Sequence, residues 1–188
     1  MVQIIQDVLL MNKIFKIIYI FIFILYTNIS FSADMAGYLL DQAIKQYNDK
    51  NYKDAFTALN NIAPTGNPVA VYLLGNMYLN GYGIKKNYNI AYQMILFAAQ
   101  QLPNDYKNIA LEAQLTLADM YINGTGVIKN NLEAYKWAYI VNLSNNSLAS
   151  SILVKLRGAL SEEEILLASK EGEEFMKKIK ENEHEHDH

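Results

Sequence analysis

Apolar residues recur every three or four positions along most of the chain after residue 34, which is the spacing of one face of an α-helix. Ala43 and Tyr47 fall on one such face, and Ala55 and Leu59 fall on the next. No segment shows the alternation of apolar and polar residues that predicts a half-buried strand. The pattern therefore predicts helices at residues 35–48, 51–61, 68–80, 88–101, 106–122, 132–143 and 148–156, and a last helix from residue 161 to about residue 180.

The ends of these helices are marked by residues that satisfy free backbone groups. Asn67 precedes Pro68; asparagine can accept hydrogen bonds from the free amides at a helix start, and proline is tolerated at the first helical position. Gly81 follows the same helix, and glycine readily takes the positive φ angle that a helix end often needs. Ser161 followed by Glu164 predicts a capping box at the start of the last helix.

One stretch of sequence occurs twice. Residues 70–84 read AVYLLGNMYLNGYGI, and residues 113–127, which begin 43 positions later, read AQLTLADMYINGTGV. Each copy is followed by a second apolar segment with an alanine at the matching place, Ala91 or Ala134. The unit is therefore a helix, a Gly-x-Gly turn and a second helix, and a hairpin of this kind cannot bury its apolar face alone. The fold class that we predict is all-α, a superhelical solenoid of about three antiparallel helix pairs with a C-terminal capping helix.

The first part of the chain has the order of features found in a secretory signal peptide. Residues 17–26 are apolar, follow Lys13 and Lys16, and precede the small residues Ser30 and Ser32. Ten apolar residues are too few to cross a bilayer, which needs about 20. We therefore expect export, to the periplasm or outside the cell, with an uncleaved membrane anchor as the alternative.

These features divide the chain into five parts. Residues 1–32 form the predicted signal peptide, with Met11 as the alternative start because the basic residues follow it. A degenerate helical repeat (33–66), two clear repeats (67–145), capping helices (146–180) and a disordered, histidine-rich acidic tail (181–188) follow.

Composition excludes several classes of function. The 188 residues carry a formal net charge of −3, which disfavours nucleic acid as a partner because its phosphates would be repelled. The chain has no cysteine, so disulfides, thiolate metal sites and cysteine nucleophiles are excluded. No membrane contact is expected once the signal peptide has been removed.

The repeated stretch resembles the Sel-one-like repeat (SLR), a relative of the tetratricopeptide repeat. The second copy carries Ala118 where the pattern prefers glycine, and the 43-residue spacing exceeds the usual period, which places extra residues at 102–108. The resemblance implies an adaptor or scaffold that assembles other proteins, and not an enzyme. The positions that match are Ala70, Leu74, Gly75, Tyr78, Gly81, Gly83, Ile84, Ala91, Ala98 and Ala99 in the first copy, and Leu117, Tyr121, Gly124, Gly126, Val127, Ala134 and Trp137 in the second.

By analogy with tetratricopeptide domains, the first helix of each pair would line a groove that holds a protein or peptide partner. Two acidic residues in this groove favour a partner segment with some positive charge. Oligomeric state cannot be read from this pattern. The predicted groove residues are Tyr72, Asn76, Leu79, Glu112, Leu115, Asp119 and Ile122.

The histidines are confined to the last five residues, at His184, His186 and His188, and they satisfy the zinc-protease pattern H-E-x-x-H. That chemistry needs a rigid helix, a third ligand and a cleft, and the chain has no other histidine. Three imidazoles among carboxylates could still hold zinc, nickel or copper loosely. A metal-handling protein is therefore the alternative function, whereas our main expectation is a solvated tail and no cofactor.

Some secreted relatives of this family are linked to penicillin binding, but the chain has no Ser-x-x-Lys nucleophile arrangement.

Overall fold

The computed structural model describes residues 15–20, 22, 35–101 and 106–186. Over the last two ranges the chain is built of α-helices and contains no strand, so the predicted fold class is confirmed. A 3-10 turn, Ala63–Thr65, follows the second helix of these ranges. The helices are α1 (35–48), α2 (Tyr52–Ile62), α3 (Pro68–Asn80), α4 (Tyr88–Gln101), α5 (Lys107–Asn123), α6 (Asn131–Asn142), α7 (Ser147–Arg157) and α8 (Glu162–His186).

Two of the predicted caps are confirmed in atomic detail. The side chain of Asn67 accepts a hydrogen bond of 3.0 Å from the backbone N–H of Ala70, and Pro68 is the first residue of α3. At the start of α8, the carboxylate of Glu164 accepts the Ser161 N–H at 2.8 Å, and the Glu164 N–H donates to the Ser161 hydroxyl at 3.2 Å. The hydrogen bond from the Ser161 backbone N–H, and next one of 3.0 Å that the Ser161 hydroxyl donates to the same carboxylate, lower the pKa of Glu164. Each cap satisfies amide groups that the helix itself leaves unpaired.

The helices pack as successive hairpins. α3 lies against α4 and α5 against α6, while α2 contacts α3 and α4 contacts α5, so each pair touches the next. Close approach within a pair depends on a small residue, because a Cβ atom on Gly75 would lie 2.9 Å from the Ile95 side chain. The second copy has Ala118 in this place, fully buried. One continuous apolar core results, with Ala43, Leu59, Leu74, Ile95, Leu117, Ala134, Leu153 and Ala168 among its buried members.

The last two helices both pack on α6, and α8 covers it as the predicted cap. The Trp137 ring meets the Phe175 ring edge-on, with 5.3 Å between centroids. Gly172 permits this approach, because a Cβ atom there would lie 3.0 Å from the Tyr139 ring. The Tyr139 hydroxyl also donates a 2.7 Å hydrogen bond to the Glu173 carboxylate.

Helix α8 corrects one prediction. Its backbone is helical to His186, whereas the sequence led us to expect a disordered tail from residue 181. The physical reason is local: glutamate and lysine are good helix formers, and Lys177 pairs with Glu181 one turn away at 3.7 Å. Residues 187 and 188 lie outside the described part of the chain.

Most of the predicted signal peptide, including Met11 and the cleavage site, also lies outside the described residues. Residues 15–20 are helical, and the large apolar side chains among them are exposed. In the part of the chain that the structure describes, no helix has both the length and the apolar content to cross a membrane.

Both Gly-x-Gly turns require glycine for conformational reasons. Their four glycines take left-handed φ angles between +70° and +76°, a region that residues with a Cβ atom rarely adopt. The first glycine of each turn, Gly81 or Gly124, is the residue at which α3 or α5 ends. The left-handed conformation therefore ends the first helix of the pair.

The second glycine of each turn has an additional role, because it contacts the preceding helix pair. A Cβ atom on Gly83 would lie 2.9 Å from the Cβ of Tyr52, the first residue of α2. A Cβ atom on Gly126 would overlap the backbone carbonyl of Tyr88, the first residue of α4. These two glycines therefore set how closely successive pairs approach.

We predict that Gly126→Ala destabilises the full chain more than Gly124→Ala does. Both changes place alanine at a left-handed φ, which costs roughly 1–2 kcal/mol. Only Gly126→Ala also forces a Cβ atom against Tyr88, and overpacking of this kind adds about 1–3 kcal/mol. Urea unfolding of the two variants measures the difference, and equal losses of unfolding free energy would show that the contact between pairs is unimportant.

Candidate functional site

The side chains that the sequence assigned to a groove lie on α3 and α5, and α1 is the corresponding first helix of the preceding pair. We call the solvent-facing side of these three helices the first-helix face. On α5, Glu112 and Asp119 are exposed, and Leu115 and Ile122 are half-buried. On α3, Asn76 and Leu79 are half-buried, whereas Tyr72 is only 3% exposed. Six of the seven predicted residues therefore reach the surface along one side of the solenoid.

Tyr72 differs from the prediction because its ring is part of the core. Its hydroxyl nevertheless donates a partly buried 3.5 Å hydrogen bond to the Glu112 carboxylate on α5. Burial raises the pKa of Tyr72, and the Glu112 charge raises it further, while Thr116 and Asn76 act in the opposite direction by hydrogen bonding. The structure thus brings Tyr72, Asn76 and Glu112 together.

The second predicted carboxylate lies elsewhere. Asp119 follows Glu112 by seven residues, which is about 10 Å along a helix. Its carboxylate accepts a 2.9 Å hydrogen bond from the Asn123 side chain of the same helix. The two acids of α5 are therefore separate positions on the first-helix face and not a pair.

Three tyrosines that the sequence did not assign to the groove pack together where α1, α2 and the turn after α3 meet. The Tyr52 ring stacks on the Tyr82 ring, with centroids 4.5 Å apart and planes 6° from parallel. Tyr47 stands edge-on to both rings, at 5.8 Å from Tyr52 and 6.4 Å from Tyr82. One signal in the sequence points to Tyr52: an Asn-Tyr pair stands at the start of α2, as Asn87-Tyr88 does at the start of α4.

These tyrosines share an electrostatic environment with Tyr72 and Glu112. Burial is the main cause that raises the pKa of Tyr47, and Tyr72, Tyr82, Tyr52 and Glu112 each add to it in that order. An ionised Tyr47 would be disfavoured by all of them, so the site favours neutral phenols beside one carboxylate. We call Tyr47, Tyr52, Tyr72, Tyr82 and Glu112 the tyrosine–carboxylate cluster.

The second repeat builds a different contact. Thr125 stands where the first repeat has Tyr82, and Leu115 stands where it has Tyr72. The hydroxyls of Tyr92 and Tyr121 are instead 2.8 Å apart in a hydrogen bond. Burial, followed by this hydrogen bond, raises the pKa of Tyr121. The tyrosine–carboxylate cluster is therefore a local feature of the first helix pairs.

The described residues contain a small cavity between four helices. This cavity, between α4, α5, α6 and α8, measures about 60 Å³, which is space for a few water molecules. Gln114 lines this cavity and is buried, with its side chain donating to the Ala99 carbonyl at 3.4 Å. Within the ranges that the structure describes, no three His, Asp or Glu side chains are grouped to hold a metal ion. The predicted metal ligands His184, His186 and His188 lie outside the described side chains.

Comparison with known proteins identifies the repeats. Residues 68–101 and 111–140 match the family model of the Sel1 repeat, and the predicted extra residues fall in the gap between the two matches. The recognised family and the solenoid fold are thereby confirmed. Sel1-repeat solenoids typically serve as protein-interaction modules. No curated protein matches the sequence.

Two solved structures resemble the chain in fold. One is a protective antigen present in uropathogenic Escherichia coli strains that displays an SLR fold, with a TM-score of 0.65 and 21% identity over 77% of this chain. The other is a Sel1 repeat protein from Oxalobacter formigenes, with a TM-score of 0.52 and 34% identity over 61% of this chain. The match spans 30% of the first structure and 44% of the second, so the chain corresponds to less than half of either protein.

We predict that Glu112→Gln lowers the pKa of Tyr47 and Tyr72. The substitution keeps the size of the side chain and removes the negative charge that opposes ionisation of both phenols. The near-ultraviolet absorbance of tyrosinate, followed against pH in the full chain, measures the change. Asp119→Asn removes a charge at the other end of α5 and should leave the curve in place; matching shifts in both variants would contradict the cluster.

We also predict that the protein loses stability as the pH rises through the alkaline range. The pKa of Tyr47 and of Tyr121 is raised in the folded state, whereas an unfolded tyrosine ionises near its ordinary value of about 10. The stabilisation is therefore complete below that value and is lost as the pH increases towards the folded pKa. Urea unfolding at increasing pH should show this decline, and Tyr47→Phe should flatten it.

A suitable control for Tyr47→Phe is Tyr38→Phe, because the Tyr38 side chain is exposed near the start of α1. A decline that is equally steep in Tyr47→Phe and in the unmodified chain would contradict this interpretation.

Proposed function

Because the chain carries two Sel1 repeats, we propose that it is an exported, non-catalytic adaptor that holds a protein or peptide partner on the first-helix face. The observation that carries this proposal is the row of six surface side chains that α3 and α5 place on one side of a fully packed core. Rigid helices fix these side chains before a partner arrives, which reduces the entropy lost on binding. The proposal assigns the chain no cofactor.

The charges of the face support a partner with basic character. Helix α3 contains no charged residue, and the two carboxylates of α5 on this face are Glu112 and Asp119. Neither belongs to the ion pairs found in the described part of the chain, which lie on α6 and α8. A partner segment that brings lysine or arginine would meet unneutralised negative charge.

The support for export is the sequence of the leader alone. Two lysines come first, ten apolar residues follow, and small residues suited to a cleavage site come last, which is the order that a signal peptide requires. An adaptor exported in this way would act on proteins of the periplasm or the cell exterior.

We predict that a photo-crosslinking residue at position 115 captures a partner in the cells that make the protein, and that one at position 93 does not. Leu115 is half-buried on the first-helix face, whereas Gln93 is exposed on α4, a second helix of its pair. Replacing both Glu112 and Asp119 with lysine should reduce capture at position 115 by at least about tenfold, because the basic partner would then be repelled.

The control for that charge reversal is Glu163→Lys, since Glu163 is exposed at the start of α8. Capture that survives the double reversal, or that is equally strong at position 93, would contradict the proposed function.

A further inference from the structure

We propose that the row of turns that join the two helices of each pair is a second docking surface, and that it binds an acidic segment of another protein. The row consists of residues 49–53, 81–88 and 124–130, and we call it the turn edge. This inference goes beyond the proposed function, because it gives the adaptor a second partner whose charge is opposite to that of the partner on the first-helix face.

Contacts between neighbouring turns make the turn edge continuous. A Cβ atom on Gly83 would lie 2.9 Å from the Cβ of Tyr52, and the Tyr52 and Tyr82 rings are stacked with 4.5 Å between centroids. A Cβ atom on Gly126 would overlap the backbone carbonyl of Tyr88, which directly follows the second turn. The first turn therefore touches the second, and the second touches the third.

The turn edge carries more positive than negative charge, although the whole chain has a formal net charge of −3. The carboxylates close to it along the chain are Asp49, Asp54 and Asp119, while Glu133 is neutralised by Lys136 at 2.7 Å. The lysines outnumber these carboxylates, all of them are exposed, and none belongs to the ion pairs of the described residues. They are Lys50, Lys53, Lys85, Lys86 and Lys129.

Lys50 has a backbone conformation that glycine takes in the other two turns. Its φ angle is +62°, and the φ angles of Gly81 and Gly124 are +76° and +70°. In each turn the next residue donates its backbone N–H to the carbonyl five residues earlier, at 2.9–3.0 Å, so the three positions are equivalent. A left-handed φ disfavours any residue with a Cβ atom. Backbone geometry therefore does not account for a lysine at position 50, and its ammonium group is available for recognition.

A protein segment suits the turn edge better than an anionic bilayer does. Asp49 and Asp54 flank the lysines of the first turn, and a peptide can place its carboxylates at the lysines alone, whereas an anionic bilayer would also meet the two aspartates. Ile128 in the third turn is 88% exposed beside Lys129, so a partner segment with an apolar residue would also cover this side chain.

The test is selection of a displayed library of random peptides on the immobilised full chain at low ionic strength. We expect one enriched class of peptides to be rich in aspartate and glutamate. Replacing Lys85, Lys86 and Lys129 together with glutamate should weaken the best peptide of this class by about tenfold or more, because like charges would then face each other.

The matched control replaces Lys155, Lys178 and Lys180 with glutamate. These lysines are exposed on α7 and α8, outside the turn edge, and the change in net charge is the same. The control should alter the affinity by less than about twofold, since charges beyond a Debye length are screened.

Lys50→Gly separates recognition from folding. Glycine takes a left-handed φ freely, so this variant should unfold in urea at the same or a higher midpoint than the unmodified chain. It should nevertheless bind the acidic peptide about threefold more weakly, which is the size of one exposed ion pair. Asn145→Gly is the control, because Asn145 also has a left-handed φ, of +57°, outside the turn edge, and its replacement should leave the affinity unchanged.

Enrichment of peptides without acidic residues, or an acidic peptide whose affinity survives the reversal of the three lysines, would overturn this inference. Either result leaves the proposed function intact, because that proposal concerns the first-helix face. A second measurement is sedimentation of the full chain with vesicles of phosphatidylcholine and phosphatidylglycerol. Vesicle binding that the same reversal abolishes, without enrichment of acidic peptides, would assign the turn edge to a membrane and also overturn the inference.

Discussion

The approach of each Gly-x-Gly turn to the preceding helix pair is the constraint on which the rest of the structure depends. Gly83 lies against the start of α2 and Gly126 against the start of α4, with no room for a Cβ atom in either place. The chain has no cysteine to fix long-range distances, so contacts between neighbouring pairs carry that task. The spacing of the pairs in turn decides whether a side chain of α3, such as Tyr72, can reach a side chain of α5.

Most of the fold could be predicted because its determinants are local. Asn67, Ser161 and the turn glycines mark helix ends through their own backbone chemistry, and helical periodicity supplies the rest. The tail was predicted wrongly from composition: residues 181–186 have no apolar face to bury, yet the backbone continues the helix of α8. Good helix formers and pairs such as Lys177 with Glu181 extend a helix that is already nucleated, which costs far less than starting a new one.

The candidate site was only partly predictable, because it depends on distances between helix pairs. Periodicity could place Glu112 and Asp119 on the same side of one helix, and both are exposed. It did not show that the Tyr72 ring is buried, or that Tyr47 and Tyr52 approach Tyr82 from another pair. The first helix pair lacks the Gly-x-Gly turn that the other two pairs share, so its residues could not be aligned with those of the two clear repeats.

The tyrosines of the cluster are held rigidly by packing between helix pairs. Tyrosine has few rotatable bonds, and here each ring is held by a neighbour from another helix or turn, so little conformational entropy remains to be lost when a partner binds. Glu112 is the exception, because its carboxylate is exposed and held by one long hydrogen bond. Packing between helix pairs therefore fixes the tyrosine rings, whereas the Glu112 carboxylate, which lies outside the repeat pattern, stays free to turn at the surface.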